Sequence, residues 1–188
     1  RAAQAVLTPR QSAGPFYPVR IPADSDNNLV EVTGRPAPAA GEVVQIHGNV
    51  RDDRGRPLAG ARVEIWQCDA FGRYHHPNDR GGGADPTFQG FGQTVTDVEG
   101  SYGFRTIKPV PYPGRTPHIH FAVAGPGVER LTTQMYLAGE PRNDRDFLYN
   151  AIRDPAARDA VTVAFGPAAG LGAGVQAGRF DLVLRRSL

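Results

Sequence analysis

The stretch TVTDVEGSYGFRTI, Thr94–Ile107, decides the fold class. A short run of β-branched residues stops at DVEG, an acidic turn closed by glycine. A second run follows, in which Tyr102 and Phe104 stand two apart and share one face of an extended chain. The same form recurs on both sides. VVQIHGNV (43–50) alternates and ends at the turn signal DDRGRP. PLAGARVEIWQC (57–68) carries Val63, Ile65 and Trp66 into another strand. HIHFAVAG (118–125), LTTQMYLAG (131–139) and RFDLVLRR (179–186) complete the set, the last with Phe180, Leu182 and Leu184 on one side. Short strands at regular spacing, punctuated by Gly and Pro, predict an all-β protein with an antiparallel β-sandwich core. The only helical candidate is Asp144–Ile152, with a turn near Asp154–Asp159. Residues 1–41 read as an irregular N-terminal arm, and residues 42–188 as the single folded unit.

The 188 residues suit one domain with a sizeable core. The 21 basic and 19 acidic residues are interspersed, so no nucleic-acid surface is indicated, and no apolar run approaches a membrane span. One cysteine, Cys68, excludes an internal disulfide framework and a multi-cysteine metal site. The chain begins at Arg1, from which an upstream segment removed from the protein is expected. That leaves both a cytoplasmic and an exported location open.

Two of the five histidines, His118 and His120, stand on alternate positions of one apolar run. In a strand they point to the same face, with Ile119 on the other. One metal ion could take both imidazoles. Both could equally be surface or core residues. Phe121 and Val123 mark the strand as half-buried, where two neutral histidines without partners would be costly. No carboxylate follows before Glu129, no HExxH is present, and no cysteine cluster exists, so a cupin-like or zinc site lacks ligands. His47 reads as structural. His75 and His76, in a polar loop, read as exposed.

Tyrosines can supply what is missing. Tyr112 lies six residues before His118 in a turn fixed by Pro111 and Pro113, and Tyr74 follows the WQCDAFGR strand end. Each is ordinarily a half-buried aromatic with a wet hydroxyl. As tyrosinates they are hard anionic donors, suited to Fe(III) rather than Zn(II) or Cu(I).

With GRY, PYP and R-x-x-H-x-H in this order, the chain resembles the intradiol ring-cleavage dioxygenases, of the protocatechuate 3,4-dioxygenase type. The resemblance covers most of the sequence: TPRQSAGPFYP as the arm, VRDDRGRPLAGARVEIWQCDAFGRYHH as the approach to the first tyrosine, TDVEGSYGFRTIKPVPYPGRTPHIHF as the central signature, and LTTQMYLAGE and RFDLVLRR as later strands. It implies a mononuclear non-haem Fe(III) held by Tyr74, Tyr112, His118 and His120. It implies Arg115 and a displaceable Tyr112 as catalytic residues. Gln134, Gly14 and Pro15 would line the substrate pocket. The implied reaction opens a catechol-type diol with O2 between its two hydroxylated carbons, giving a muconate-type diacid. The resemblance leaves a homo-oligomer open.

Some positions depart from the family. Only Pro113 and Gly114 separate Tyr112 from Arg115, where family members carry a longer insertion, often with tryptophan; a more open pocket and a bulkier or less usual catechol are expected. Asp69 stands where asparagine is common. No N-terminal helical dimerisation segment is read in these residues, so the catechol 1,2-dioxygenase and hydroxyquinol branches are not expected. Arg115 has a plainer reading, a rim charge paired with an acid such as Asp79. GNVRDDRGRPLAGARVEIW also suits a non-catalytic prealbumin-like or carbohydrate-binding β-sandwich module. A zinc or copper hydrolase built on His118 and His120 lacks a third ligand.

Overall fold

A computed structural model describes residues 5–172 and 174–188. Ten strands dominate: β1 (Val43–Asp52), β2 (Arg62–Trp66), β3 (Phe91–Val95), β4 (Ser101–Ile107), β5 (His118–Ala124), β6 (Leu131–Leu137), β7 (Thr162–Val163), β8 (Phe165–Pro167), β9 (Gln176–Arg179) and β10 (Leu182–Leu184). They form two five-stranded sheets. The first runs β10-β1-β9-β8, with β4 also paired to β1; the second runs β3-β2-β5-β6-β7.

The DVEG turn does not close a hairpin. β3 pairs with β2 in the second sheet, and β4 pairs with β1 in the first. The turn therefore carries the chain from one sheet to the other. Asp97 makes it: its Oδ1 accepts the backbone N–H groups of Glu99 at 3.0 Å and Ser101 at 2.8 Å. Gly100, at φ +76°, lies where a Cβ would strike the Val50 carbonyl. The same Asp-x-x-Gly turn occurs at DDRGR (52–56) and DAFGR (69–73). In each, the aspartate Oδ1 accepts from the N–H groups two and four residues on.

Both sheets are mixed, which corrects the antiparallel expectation. β9 and β10 run parallel to β1, and β7 runs parallel to β6. RFDLVLRR buries Phe180, Leu182 and Leu184 as its alternation demands, but it is not one strand. β9 and β10 lie end to end along β1, and the break between them is fixed by two bonds. Phe180 N–H donates to the His47 carbonyl at 2.8 Å, and Asn49 N–H donates to Asp181 at 2.9 Å. A Cβ at position 48 would run into the Phe180 carbonyl, so only glycine fits there.

The core gathers residues of both sheets. Phe121 of β5 meets Phe104 of β4 at 6.5 Å and Phe180 at 4.8 Å between ring centroids. Ile119, Phe121 and Val123 point into this core, leaving His118 and His120 on the opposite face. That face is covered as well, so β5 is buried on both sides rather than half-buried.

The cover is the arm. Residues 5–42 contain no strand among those described, yet they are tied down along their length. Thr8 exchanges two hydrogen bonds with Val183. Gln11 N–H donates to Thr132 O at 2.9 Å, Thr133 Oγ1 donates to Pro9 O at 2.7 Å, and Tyr17 Oη donates to Glu64 at 2.7 Å.

The predicted helix Asp144–Ile152 is two pieces, a 3₁₀ turn (Pro141–Arg145) and α1 (Phe147–Ala151), broken at Asp146. A second short helix, α2, spans Pro155–Ala160. No helix among the described residues is long and apolar enough to cross a membrane.

Candidate metal centre

Strand register builds the floor of the site. His120 of β5 stands opposite Trp66 of β2 and Gln134 of β6, and His118 stands opposite Tyr136. Directly opposed residues share a face, so these five side chains form one patch under the arm. The indole of Trp66 stacks on the His120 ring, centroids 5.1 Å apart and planes 5° apart. Gly14 presses from above: a Cβ there would come within 3.2 Å of His120 Cε1. Pro15, exposed, follows it, and Phe16 stacks on Tyr74 at 4.4 Å.

The imidazoles converge. His118 Nε2 and His120 Nε2 are 3.2 Å apart. His118 Nδ1 is 2.8 Å from the Thr116 carbonyl, an arrangement that puts the proton on Nδ1 and leaves the Nε2 lone pair facing inward. Burial, reinforced by Arg115, pushes the His118 pKa down to about 4. Burial and His118 hold His120 well below the usual histidine range. Both are neutral at pH 7, as ligands must be.

The tyrosines come from two loops. The third Asp-x-x-Gly turn ends at Arg73 and delivers Tyr74 inward, its N–H donating to Asp79 at 2.6 Å. Tyr112 sits in a tight turn bridged to Arg115. The two phenol rings meet edge to face at 5.6 Å, and Tyr112 lies 5.5 Å from His118. Tyr74 is buried and Tyr112 half-buried. Burial raises both phenol pKa values; for Tyr112, Arg115 partly offsets it.

Arg115 closes one side. Its Nε donates to Asp146 at 2.9 Å, its Nη2 to Gln134 Oε1 at 2.6 Å and Tyr136 Oη at 3.4 Å, and its Nη1 lies 3.3 Å from His118 Nε2. The partner is therefore Asp146, not Asp79, which is engaged by Tyr74 and Gly81. Gln134 is fully buried, and its Nε2 donates to Ser12 O at 2.8 Å. It supports the guanidinium and the arm rather than forming an open pocket wall. The other histidines lie apart: His47 is exposed on β1, His75 is exposed with its ring bonded to Phe88 O at 2.7 Å, and His76 is half-buried against Phe16.

Sequence reasoning missed Tyr136, Asp146, Trp66 and Gln11. Tyr136 Oη donates to Gln11 and lies 3.1 Å from Gln134 Oε1. Only Asp146 left a local signal, an aspartate directly before the apolar start of a helix.

The donor set can be tested against a metal. Tyr74 Oη and His120 Nδ1 are buried without a hydrogen-bond partner among the described residues. A buried phenol oxygen left alone, in a cluster that Tyr112 links to His118, is costly unless a further group engages it. Among the described residues no three His, Cys, Asp or Glu side chains could hold a metal together. Any ion here therefore needs the tyrosine oxygens, and two phenolates with two neutral imidazoles fit a hard trivalent ion.

Two strand-borne histidines, with two tyrosines and an anchored arginine from adjoining loops, form one buried cluster under an N-terminal arm. A family model described as Dioxygenase matches residues 12–186. The protocatechuate 3,4-dioxygenase beta chain of Burkholderia cepacia is 35% identical over 192 residues, covering 94% of this chain and 78% of that protein. Catechol 1,2-dioxygenase of Candida albicans is 34% identical over 159 residues, covering 75% of this chain and 50% of its own length. The chain thus spans only half of that second relative. The dioxygenase domain of a dioxygenase carbohydrate-binding protein fusion from Streptomyces sp. SirexAA-E superposes with a TM-score of 0.72 at 33% identity, covering 97% of this chain and 100% of that one. An intradiol ring-cleavage dioxygenase from Tetranychus urticae shares the fold, with a TM-score of 0.75 at 23% identity over 97% and 98% of the two chains. The chain belongs to the intradiol dioxygenase family of ring-cleaving oxidoreductases, and the non-catalytic module reading is set aside.

Proposed function

We propose that the protein is a mononuclear non-haem Fe(III) intradiol dioxygenase, with Tyr74, Tyr112, His118 and His120 as the iron ligands. The observation that carries this is the partnerless buried phenol of Tyr74, edge to face with Tyr112, together with the 3.2 Å pair of histidine nitrogens. The substrate is a catechol-type diol. Its ring opens between the two hydroxylated carbons, and both atoms of O2 end in the two new carboxyl groups. We assign the working unit to a β-sandwich, residues 42–188, roofed by the arm, residues 1–41.

The bound iron would act as a Lewis acid that lowers the pKa of the diol and makes the ring reactive towards O2. The protein supplies the remainder. Tyr112 is only half-buried and sits on a loop, so its Oη can swing out and accept one catechol proton. Tyr74 is locked between Phe16 and Tyr112 and stays in place. His118 and His120 are fixed by β5 and by the Trp66–Gly14 clamp. Arg115 presents a guanidinium held by Asp146, Gln134 and Tyr136, a preformed positive field for the negative charge that grows on the substrate. Gln134 and Gly14 act through this framework, Gln134 by orienting Arg115 and Gly14 by seating His120; Pro15, exposed next to Gly14, is the arm residue assigned to meet the substrate. The arm excludes water from the ligand side.

The test is spectroscopic and kinetic. Iron-loaded protein is expected to show a broad visible tyrosinate-to-iron band that shifts on adding catechol, and to consume O2 with catechol. A colourless iron-loaded protein that takes up no O2 sinks the assignment.

A further inference from the structure

The arm reaches Arg115 through one side chain. Gln11, half-buried, is tied to β6 by its backbone, its N–H donating to Thr132 O at 2.9 Å. Its amide then spans two holders of the guanidinium. Gln11 Nε2 donates to Leu148 O at 2.7 Å, on the helix that Asp146 caps. Gln11 Oε1 accepts from Tyr136 Oη. Asp146 in turn accepts from Arg115 Nε at 2.9 Å, and Tyr136 Oη lies 3.4 Å from Arg115 Nη2.

The direction of every bond in this chain is set from its outer end. A backbone carbonyl only accepts, so the amide must turn Nε2 to Leu148 and Oε1 to Tyr136. A phenol has a single proton to give. Two oxygens compete for that of Tyr136: Gln11 Oε1 and, at 3.1 Å, Gln134 Oε1. Gln134 Oε1 already accepts from Arg115 Nη2 at 2.6 Å, whereas Gln11 Oε1 has no other donor among the described residues. The proton therefore goes to Gln11, and a phenol lone pair is left for Arg115 Nη2. Tyr136 is fully buried, so its proton has to find a protein partner. Without the Gln11 acceptor it turns to Gln134 Oε1 and competes with the guanidinium for that oxygen.

We propose that Gln11 is a positioning residue for Arg115: from the arm, it aims the Tyr136 hydroxyl so that a lone pair faces the guanidinium and Gln134 Oε1 is left to the guanidinium alone. The catalytic consequence rests on the dioxygenase reading of the site; the link from Gln11 to Arg115 does not.

The test is a double-substitution cycle of Gln11→Met and Tyr136→Phe. Methionine fills the space of glutamine without its N–H donor or its carbonyl acceptor. In iron-loaded protein, Gln11→Met is expected to lower kcat for catechol about 10-fold. Catechol affinity, measured without oxygen, should stay at the wild-type value, because Arg115 acts on charge that grows later. In the Tyr136→Phe background no hydroxyl is left to misdirect, and Gln11→Met should cost almost nothing further. Metal-free protein gives a second readout, the Arg115 side-chain N–H signals in a nitrogen-resolved NMR spectrum. Gln11→Met should shift them when Tyr136 is present and leave them in place when it is phenylalanine. Equal losses in both backgrounds overturn the proposal, since Gln11 would then only anchor the arm. So does a weakened catechol affinity with kcat unchanged, or Arg115 signals that ignore Gln11. Coupled Arg115 signals with no O2 consumed from any catechol overturn the dioxygenase reading and leave the link from Gln11 to Arg115 standing.

Discussion

Arg115 Nε and Thr116 N–H share a single acceptor, Oδ2 of Asp146, each at 2.9 Å. The other oxygen, Oδ1, caps α1 by accepting from Leu148 N–H at 3.1 Å and Tyr149 N–H at 2.9 Å. One buried carboxylate thus locks the guanidinium, the strand entry to His118 and a helix start together. Burial alone would raise the Asp146 pKa, but the Arg115 bond holds it below the usual carboxylate range. Burial likewise opposes the charge on Arg115, and the Asp146 bond more than restores it.

Asp146→Asn keeps an oxygen for the cap but turns an amide donor or a neutral oxygen towards Arg115. Catechol-dependent O2 uptake is expected to fall about 10- to 100-fold, since small displacements of a charge-stabilising group cost that much. Asp146→Ala leaves a buried arginine unpaired, and urea unfolding should show a loss of about 3–5 kcal/mol. A wild-type rate in Asp146→Asn would mean that Gln134 and Tyr136 hold Arg115 unaided.

The two tyrosines should separate in their variants. Tyr112→Phe removes a half-buried hydroxyl; iron-loaded protein should keep a visible band, shifted and weakened, and lose turnover. Tyr74→Phe removes the buried hydroxyl that lacks a partner. In metal-free protein this should cost nothing, or stabilise by about 1 kcal/mol, because an unsatisfied polar atom is removed. In loaded protein it should weaken iron retention against a chelator. A clear destabilisation of metal-free Tyr74→Phe would argue that the hydroxyl is satisfied in the fold.

The histidine pair was legible in the sequence because strand geometry is local: alternate residues share a face whatever the strand later pairs with. The turn that delivers Tyr74 reads in sequence only as a strand end, although its Asp and Gly repeat the spacing of the DDRG and DVEG turns. What those residues meet was not legible. Trp66 reaches His120, and Tyr136 reaches His118, only through inter-strand register. Asp146 finds Arg115 across 31 residues, and the same demand breaks the helix that Asp144–Ile152 alone would favour. The parallel placement of β9 and β10 is similarly set by a return from the other sheet, which no local pattern encodes.

Metal-free protein should lose stability on mild acidification. His118 titrates near 4 in the fold, against about 6.5 when unfolded. The unfolded chain therefore binds more protons between those values, and the folded state loses ground as pH falls through 6.5 towards 4. From His118 alone the loss is about 2 kcal/mol between pH 7 and pH 5, and about 3 kcal/mol by pH 4. Urea unfolding of metal-free protein at the two pH values measures it. His118→Gln should flatten the dependence. Iron-loaded protein should unfold at higher urea at pH 7 and lose that advantage on acidification, because protons compete for the ligand nitrogens.

The arm should matter to the metal centre through one backbone position. Gly14 has φ +65°, and a side chain there would press on the His120 ring. Gly14→Ala adds left-handed strain to a contact of 3.2 Å, tighter than ordinary packing. A cost of about 1–2 kcal/mol is expected if the arm stays docked. Undocking would relieve it, at the expense of the Gln134–Ser12 bond and the cover over Tyr74. Limited proteolysis distinguishes the two responses, since an undocked arm is cut within residues 9–20. With the arm released, His120 and Tyr74 gain access to water, and iron should be lost to a chelator faster than from the wild type. Gly34→Ala, at a comparable φ of +80° with nothing within 4 Å of its Cβ, is the control for left-handed strain alone. Equal iron loss from both variants would show that the arm does not seat His120.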